Sequence, residues 1–162
     1  MSKFAYDLLP ANMESAKANV MVLAFGLQES RFTDRYQIVN GGGKGPARSF
    51  YQFEKGTMQS KGGVTGVYLH PASREHLRKV CEFLVIPFTA QAIWEAMEYN
   101  DVLAFAVARL LIYTDPRPLP EIGNAQAAWD YYIRVWNPGK PHRGTWDALY
   151  AKAVQAVKGY AA

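Results

Sequence analysis

One segment limits the fold more than any other. Behind Asn100, the residues Val102, Leu103, Phe105, Ala106, Val107, Leu110 and Leu111 leave little polar face. A helix that is apolar nearly all round has to be enclosed by other elements, so this one is expected at the centre of the molecule, with Asn100 as its N-cap. The rest of the chain is then expected to wrap around it. Asp115-Pro116-Arg117-Pro118-Leu119-Pro120 follows as a stiff linker, because proline fixes φ and offers no donor for a continuing helix.

The flanking segments supply the wrapping. Asn12 can cap a helix over about 13–29, with Ala16, Val20, Leu23 and Leu27 on one face and Val22, Phe25 and Glu29 on a neighbouring stripe. Gly26 leaves room beside Glu29. The stretch before it, ending at Pro10-Ala11-Asn12, reads as an irregular arm. Ser73 can cap a helix of about 74–85, Thr89 one of about 90–98, and Asn124 one of about 125–136. Thr145 can cap the last, along which Trp146, Leu149, Tyr150, Ala153, Val154 and Val157 recur at helical spacing. Residues 33–47 are glycine-rich and polar and read as a loop. Ser49 to Phe53 reads as extended or a tight turn, and Glu54 to Ser60 as a short helix that Lys61-Gly62-Gly63 breaks. The expectation is a mainly α fold with at most a small β element, in a single domain spanning 1–162.

Composition narrows the classes of function. Apolar residues make up 49% and charged residues 20%, an ordinary globular balance. No apolar run is long enough to span a membrane. The opening Met1-Ser2-Lys3-Phe4-Ala5-Tyr6-Asp7 has no apolar h-region, so the chain is expected to be made in the cytoplasm without a signal peptide. Cys81 is the only cysteine and reads as a buried small hydrophobe. His70, His76 and His142 lack metal-ligand spacing, so neither metal nor cofactor is expected. The net charge of +4 favours polyanionic partners, but the basic residues are scattered, which argues against specific nucleic-acid binding. Gly41-Gly42-Gly43-Lys44-Gly45 lacks the Gly-Lys-Ser/Thr ending of a phosphate loop and reads as a mobile rim.

Chemistry concentrates at two short stretches. Leu27-Gln28-Glu29-Ser30-Arg31-Phe32 puts a carboxylate at the end of an apolar helix, with Phe25 behind it and Phe32 just past it. Ser49-Phe50-Tyr51-Gln52-Phe53-Glu54 brings back an aromatic-rich segment with a second carboxylate. Glycoside cleavage needs a proton delivered near neutral pH, and a glutamate in apolar surroundings can deliver it. A second carboxylate positions water or stabilises the cation, and Glu54 leads for that role, with Asp34 next. Aromatic rings stack on sugar faces while amides fix the hydroxyls. Trp94 and Trp146 sit on regular helical stripes and read as core.

These stretches resemble the lysozyme-like superfamily that contains lytic transglycosylases and goose-type lysozymes. That family carries a catalytic Glu-Ser at a helix end, and Glu29-Ser30 matches it. About twenty residues later it carries Gly-Leu-Met-Gln, which Ser49-Phe50-Tyr51-Gln52 matches at the glutamine. Goose-type enzymes continue with an apolar residue and an aspartate, where Phe53-Glu54 stands here. A groove motif, Ala-Tyr-Asn followed by glycine, resembles Val135-Trp136-Asn137-Pro138-Gly139. The resemblance implies a lysozyme-like helical domain and a glycosidase cleaving the MurNAc–GlcNAc β-1,4 bond of peptidoglycan. Glu29 would be its general acid/base, with Glu54 as a second catalytic residue. Ser30, Ser49, Tyr51, Gln52, Tyr132, Trp136 and Asn137 would bind the glycan strand. Either hydrolysis or a 1,6-anhydro product is open. The lack of a signal peptide suits a bacteriophage or prophage product, acting at the wall as an endolysin or within the virion beside other virion proteins. The rival readings are a chitinase-like hydrolase, a non-catalytic virion or wall-binding module, and a basic nucleic-acid-associated helical protein.

Overall fold

The computed structural model describes residues 2–160; Met1, Ala161 and Ala162, which the single-domain expectation includes, lie outside them. The apolar segment forms helix α6, Asp101–Thr114, capped by the Asn100 side chain, which accepts from the Leu103 amide at 2.9 Å. Leu103 through Leu110 are all buried, as is Ile112. Helices α1 (Ser2–Asp7), α2 (Ala16–Ser30), α3 (Gly63–Leu69), α4 (Pro71–Phe83) and α7 (Ala125–Trp136) all contact α6. Helix α8 (Arg143–Tyr160) packs along α2 and against α7, and α5 (Ala90–Ala96) against α3. The buried side chains make one connected cluster running from Ala5 to Ala153. The fold is mainly α with a small β element, and no described helix is long and apolar enough to cross a membrane.

Several boundaries depart from the local reading. The arm before Pro10 contains α1, whose Ala5 and Tyr6 are buried. Residues Ala11–Met13 form a 3₁₀ turn, and α2 is capped by Ser15, whose Oγ accepts from the Ala18 amide, and not by Asn12. Helix α4 starts earlier than expected: His70 caps it through Nδ1, Pro71 occupies the first turn, and Ser73 Oγ instead donates to the Val67 carbonyl at 2.6 Å. Residues 54–60 are not helical. The helix starts at Gly63, where a break was expected, because its φ of +56° and its closeness to the Glu54 carbonyl admit no side chain: a Cβ there would lie 2.1 Å from that oxygen. Thr89 and Asn124 cap α5 and α7 as read. Cys81 is buried, and its thiol is pushed up to about 11 by that burial and then by Glu82.

The segment read as a loop over 33–47 is largely a β-hairpin. Strand β1 (Tyr36–Ile38) pairs antiparallel with β2 (Lys44–Arg48), Tyr36 opposite Arg48 and Ile38 opposite Lys44, and the triple glycine lies in its turn. Charge fixes the hairpin to the start of α6. Arg35 forks onto both oxygens of Asp101, at 2.5 and 3.0 Å, and donates to the Glu98 carbonyl. Lys44 and Arg48 both reach the buried Glu98, at 2.6 and 3.0 Å. Burial raises the Glu98 carboxyl, but hydrogen bonds from Lys44 and Tyr99 and the charges of Lys44 and Arg48 outweigh it and hold it below the ordinary value.

Candidate active site

The end of α2 and the turn after β2 meet at Ser30. Arg31 and Phe32 both adopt left-handed backbone, with φ of 53° and 58°, and this reverses the chain. The reversal lays the Phe32 ring on Gly26, where a Cβ would come within 2.3 Å of Phe32 Cζ. The space at Gly26 is thus taken by Phe32, a correction to the reading that it serves Glu29. Ser30 Oγ accepts from the Phe32 amide and donates to the Phe50 carbonyl at 2.6 Å, so one hydroxyl ties the helix end to the turn.

That turn is built with equal economy. Arg48 and Phe53 exchange backbone hydrogen bonds at 2.9 and 2.8 Å and close a four-residue loop over Ser49–Gln52. Ser49 and Gln52 take left-handed φ of 65° and 51°. Ser49 Oγ accepts from the Tyr51 amide, and Gln52 Nε2 donates to the carbonyls of Ser49 and Asp34. Ser49 is fully enclosed and Tyr51 is 2% exposed. Their side chains therefore hold the loop and fill the core, and neither presents the groove surface expected of it. Ser30, 8% exposed, is likewise engaged by the backbone. Gln52 is half-buried, with Nε2 engaged in this turn.

Glu29 stands beside this junction. Phe25, one turn earlier on the same face, meets Tyr132 and Trp136 edge-on, with ring centroids 5.2 and 5.1 Å away. Trp136 in turn meets Phe53 at 4.6 Å and Tyr51 at 6.5 Å, while Phe32 meets Phe50 and Tyr51 at 5.9 Å each. The aromatic residues noted around Glu29 thus form one connected layer. Tyr132 Oη donates to Glu29 Oε1 at 2.6 Å, across 103 residues of sequence. The Glu29 carboxyl is pushed up to about 7: burial raises it and the Tyr132 hydrogen bond, which favours the ionised form, opposes part of that rise. The Tyr132 hydroxyl is itself raised, by burial, the Glu29 charge and this bond.

Tyr132 is the residue whose role the sequence reading placed elsewhere. The resemblance makes it a glycan-binding residue, but it is 2% exposed and its ring packs on Trp129 and Trp146. What it offers is its hydroxyl, aimed at the carboxylate. No local pattern marks that contact; only the register of α7 against α2 produces it. Trp136 is half-buried, and Asn137, exposed with φ of 51°, ends α7 by donating its amide to the Ile133 carbonyl.

The candidate second carboxylates are both exposed and make no side-chain hydrogen bond to Glu29. Glu54 is exposed, and its side chain makes no hydrogen bond or ion pair among the described residues; its backbone carbonyl instead receives the Val64 amide. Asp34 is also exposed and accepts from Thr33 Oγ1 at 3.0 Å. Among the described residues no three His, Cys, Asp or Glu side chains gather where they could hold a metal ion. A cleft of about 640 Å³ lies elsewhere, against α6 and α7, and its lining does not include Glu29.

No family model matches the sequence, and neither a curated protein nor a solved structure matches the chain. The fold is mainly α, and its candidate site holds Glu29, its carboxyl pushed up by burial, bonded to Tyr132 beside an aromatic layer.

Proposed function

We propose that this chain is a glycosidase of the lysozyme-like kind, cleaving the MurNAc–GlcNAc β-1,4 bond of peptidoglycan with Glu29 as general acid and then base. The observation that carries the reading is the Glu29 carboxyl itself: held by Tyr132 at 2.6 Å and pushed up to about 7, it can both give and take a proton near neutral pH. Tyr132 occupies Oε1 and leaves Oε2 to carry the proton. Glu29 gives that proton to the glycosidic oxygen as the bond to C1 breaks. The carboxylate so formed then takes a proton from the group that attacks C1.

Two attackers are compatible with this sequence of steps. Water gives hydrolysis; the 6-hydroxyl of the muramic residue gives a 1,6-anhydro ring. Holding an attacking water is the task of a second carboxylate. Glu54 and Asp34 are exposed and neither makes a side-chain hydrogen bond to Glu29, which favours the intramolecular route. Delivery to the wall by a phage or prophage, at lysis or from the virion, belongs to the same proposal.

Digestion of purified peptidoglycan followed by mass spectrometry tests it. Anhydro-muropeptides, lacking the mass of one water relative to hydrolysis products, are expected. Glu29→Gln should abolish their release while the helical circular dichroism is unchanged. Full activity in a folded Glu29→Gln protein would sink the assignment. Pelleting with the wall without any release would support the rival reading, a non-catalytic wall-binding module.

A further inference from the structure

Helix α6 carries one arginine inside its apolar run. Arg109 is 5% exposed, and its Nε donates to the Met13 carbonyl at 2.8 Å. Nη1 is enclosed, with no acceptor at close hydrogen-bond distance, and faces the enclosed Tyr6 hydroxyl, which acts on it as a weak hydrogen-bond partner. No carboxylate pairs with Arg109 among the described residues. Burial pulls its guanidinium down, and what opposes that pull comes from the hydroxyls of Tyr6, Tyr131 and Tyr113. Arginine is rarely buried without a partner, because the desolvation of the ion then goes uncompensated.

The acid that shares a cleft with Arg109 is already engaged. Asp115 Oδ2 takes two hydrogen bonds from Arg134, at 2.9 and 2.6 Å. Asp115 and Arg109 both line the cleft of about 640 Å³ between the end of α6, the proline-rich linker and α7. Arg117 and His70 line it too, Tyr113 and Leu119 give it accessible apolar walls, and the buried Ile112 and Tyr131 lie behind them. Arg117 is exposed and its side chain pairs with no acid among the described residues. With Asp115 engaged by Arg134, the cleft holds two guanidinium groups that pair with no carboxylate among the described residues, beside an apolar surface.

We propose that this cleft binds an organic carboxylate, its charged end paired with Arg109 and Arg117 and its apolar body lying against Tyr113 and Leu119. The planar carboxylate matches the guanidinium fork, and it supplies the counter-ion that the protein does not. Such a group can come from a free hydrophobic acid or from the terminal carboxylate of a peptide. The proposal is independent of the chemistry at Glu29, which lies outside the cleft.

Titration of the full chain under NMR observation of the arginine Nε–Hε signals tests it. The probes are phenylpropionate, its amide, a tripeptide ending in phenylalanine with a free carboxylate, the same tripeptide amidated, and inorganic phosphate. Saturable movement of the Arg109 signal with a free-carboxylate probe, and none with the matching amide, is the expected result. Whichever of the acid and the peptide saturates first identifies the source. Arg117→Ala, a change at an exposed linker position, should weaken binding roughly tenfold. Equal binding of acid and amide, or no saturable shift up to about 20 mM of any carboxylate, would overturn the proposal. An unchanged affinity in Arg117→Ala would also count against it, and phosphate binding as tightly as phenylpropionate would remove the role of the apolar wall.

Discussion

Replacing Glu29 by glutamine removes a charge that the folded chain carries at a cost. The carboxyl titrates at about 7 in the folded protein and near the ordinary 4.5 when the chain unfolds. Between those values the folded state holds a proton that the unfolded state has released. Stability from this group is therefore complete below the unfolded value and is lost as pH rises through the folded one. At about 1.4 kcal/mol for each pKa unit, roughly 2–3 kcal/mol should disappear between about pH 5 and about pH 8.5. Glutamine has no such titration, yet its side-chain oxygen can still accept from Tyr132. Urea unfolding of both proteins, followed by circular dichroism, measures the difference, and every other titrating group cancels. The Glu29→Gln protein should gain on the wild type by that amount as pH rises. A difference that stays flat across the range would refute the burial of Glu29 as the cause of its raised pKa. The outcome does not depend on any enzymatic activity.

Tyr132→Phe removes the one hydrogen bond that favours the ionised carboxyl, so the Glu29 pKa should rise further and the alkaline limb of a pH–rate profile should move to higher pH. Gly26→Ala drives a methyl into the Phe32 ring and should cost about 1–3 kcal/mol in urea unfolding, with Phe32→Leu partly restoring it. Val85 is 88% exposed and has a left-handed φ of 56° at the end of α4, a conformation that β-branched residues resist. Val85→Gly should therefore be neutral or stabilising by up to about 1 kcal/mol, measured as a rise in Tm.

Much of the helical frame was legible because its signals are local. Asn100, Thr89 and Asn124 each satisfy an amide three residues on, and that geometry is complete within one turn. The apolar run of α6 needs no knowledge of its neighbours to require enclosure. The position of Glu29 at the end of α2, one turn past Phe25, follows from the same periodicity.

What failed was decided at long range. The hairpin over 36–48 carries little β pattern of its own, and its Lys44 and Arg48 are bound by Glu98 from another element. Gly63 opens a helix because the Glu54 carbonyl lies against it. Ser49 and Tyr51, read as groove residues, are drawn inward by a four-residue loop whose closure needs Arg48 and Phe53 together. The sequence by itself determined a mainly helical chain with a glutamate on the rim of an apolar face. Only the tertiary structure brought the Tyr132 hydroxyl to that glutamate and left Arg109 without a counter-ion. Both depend on how separate helices are set against one another, and a contact 103 residues apart leaves no trace in any local spacing.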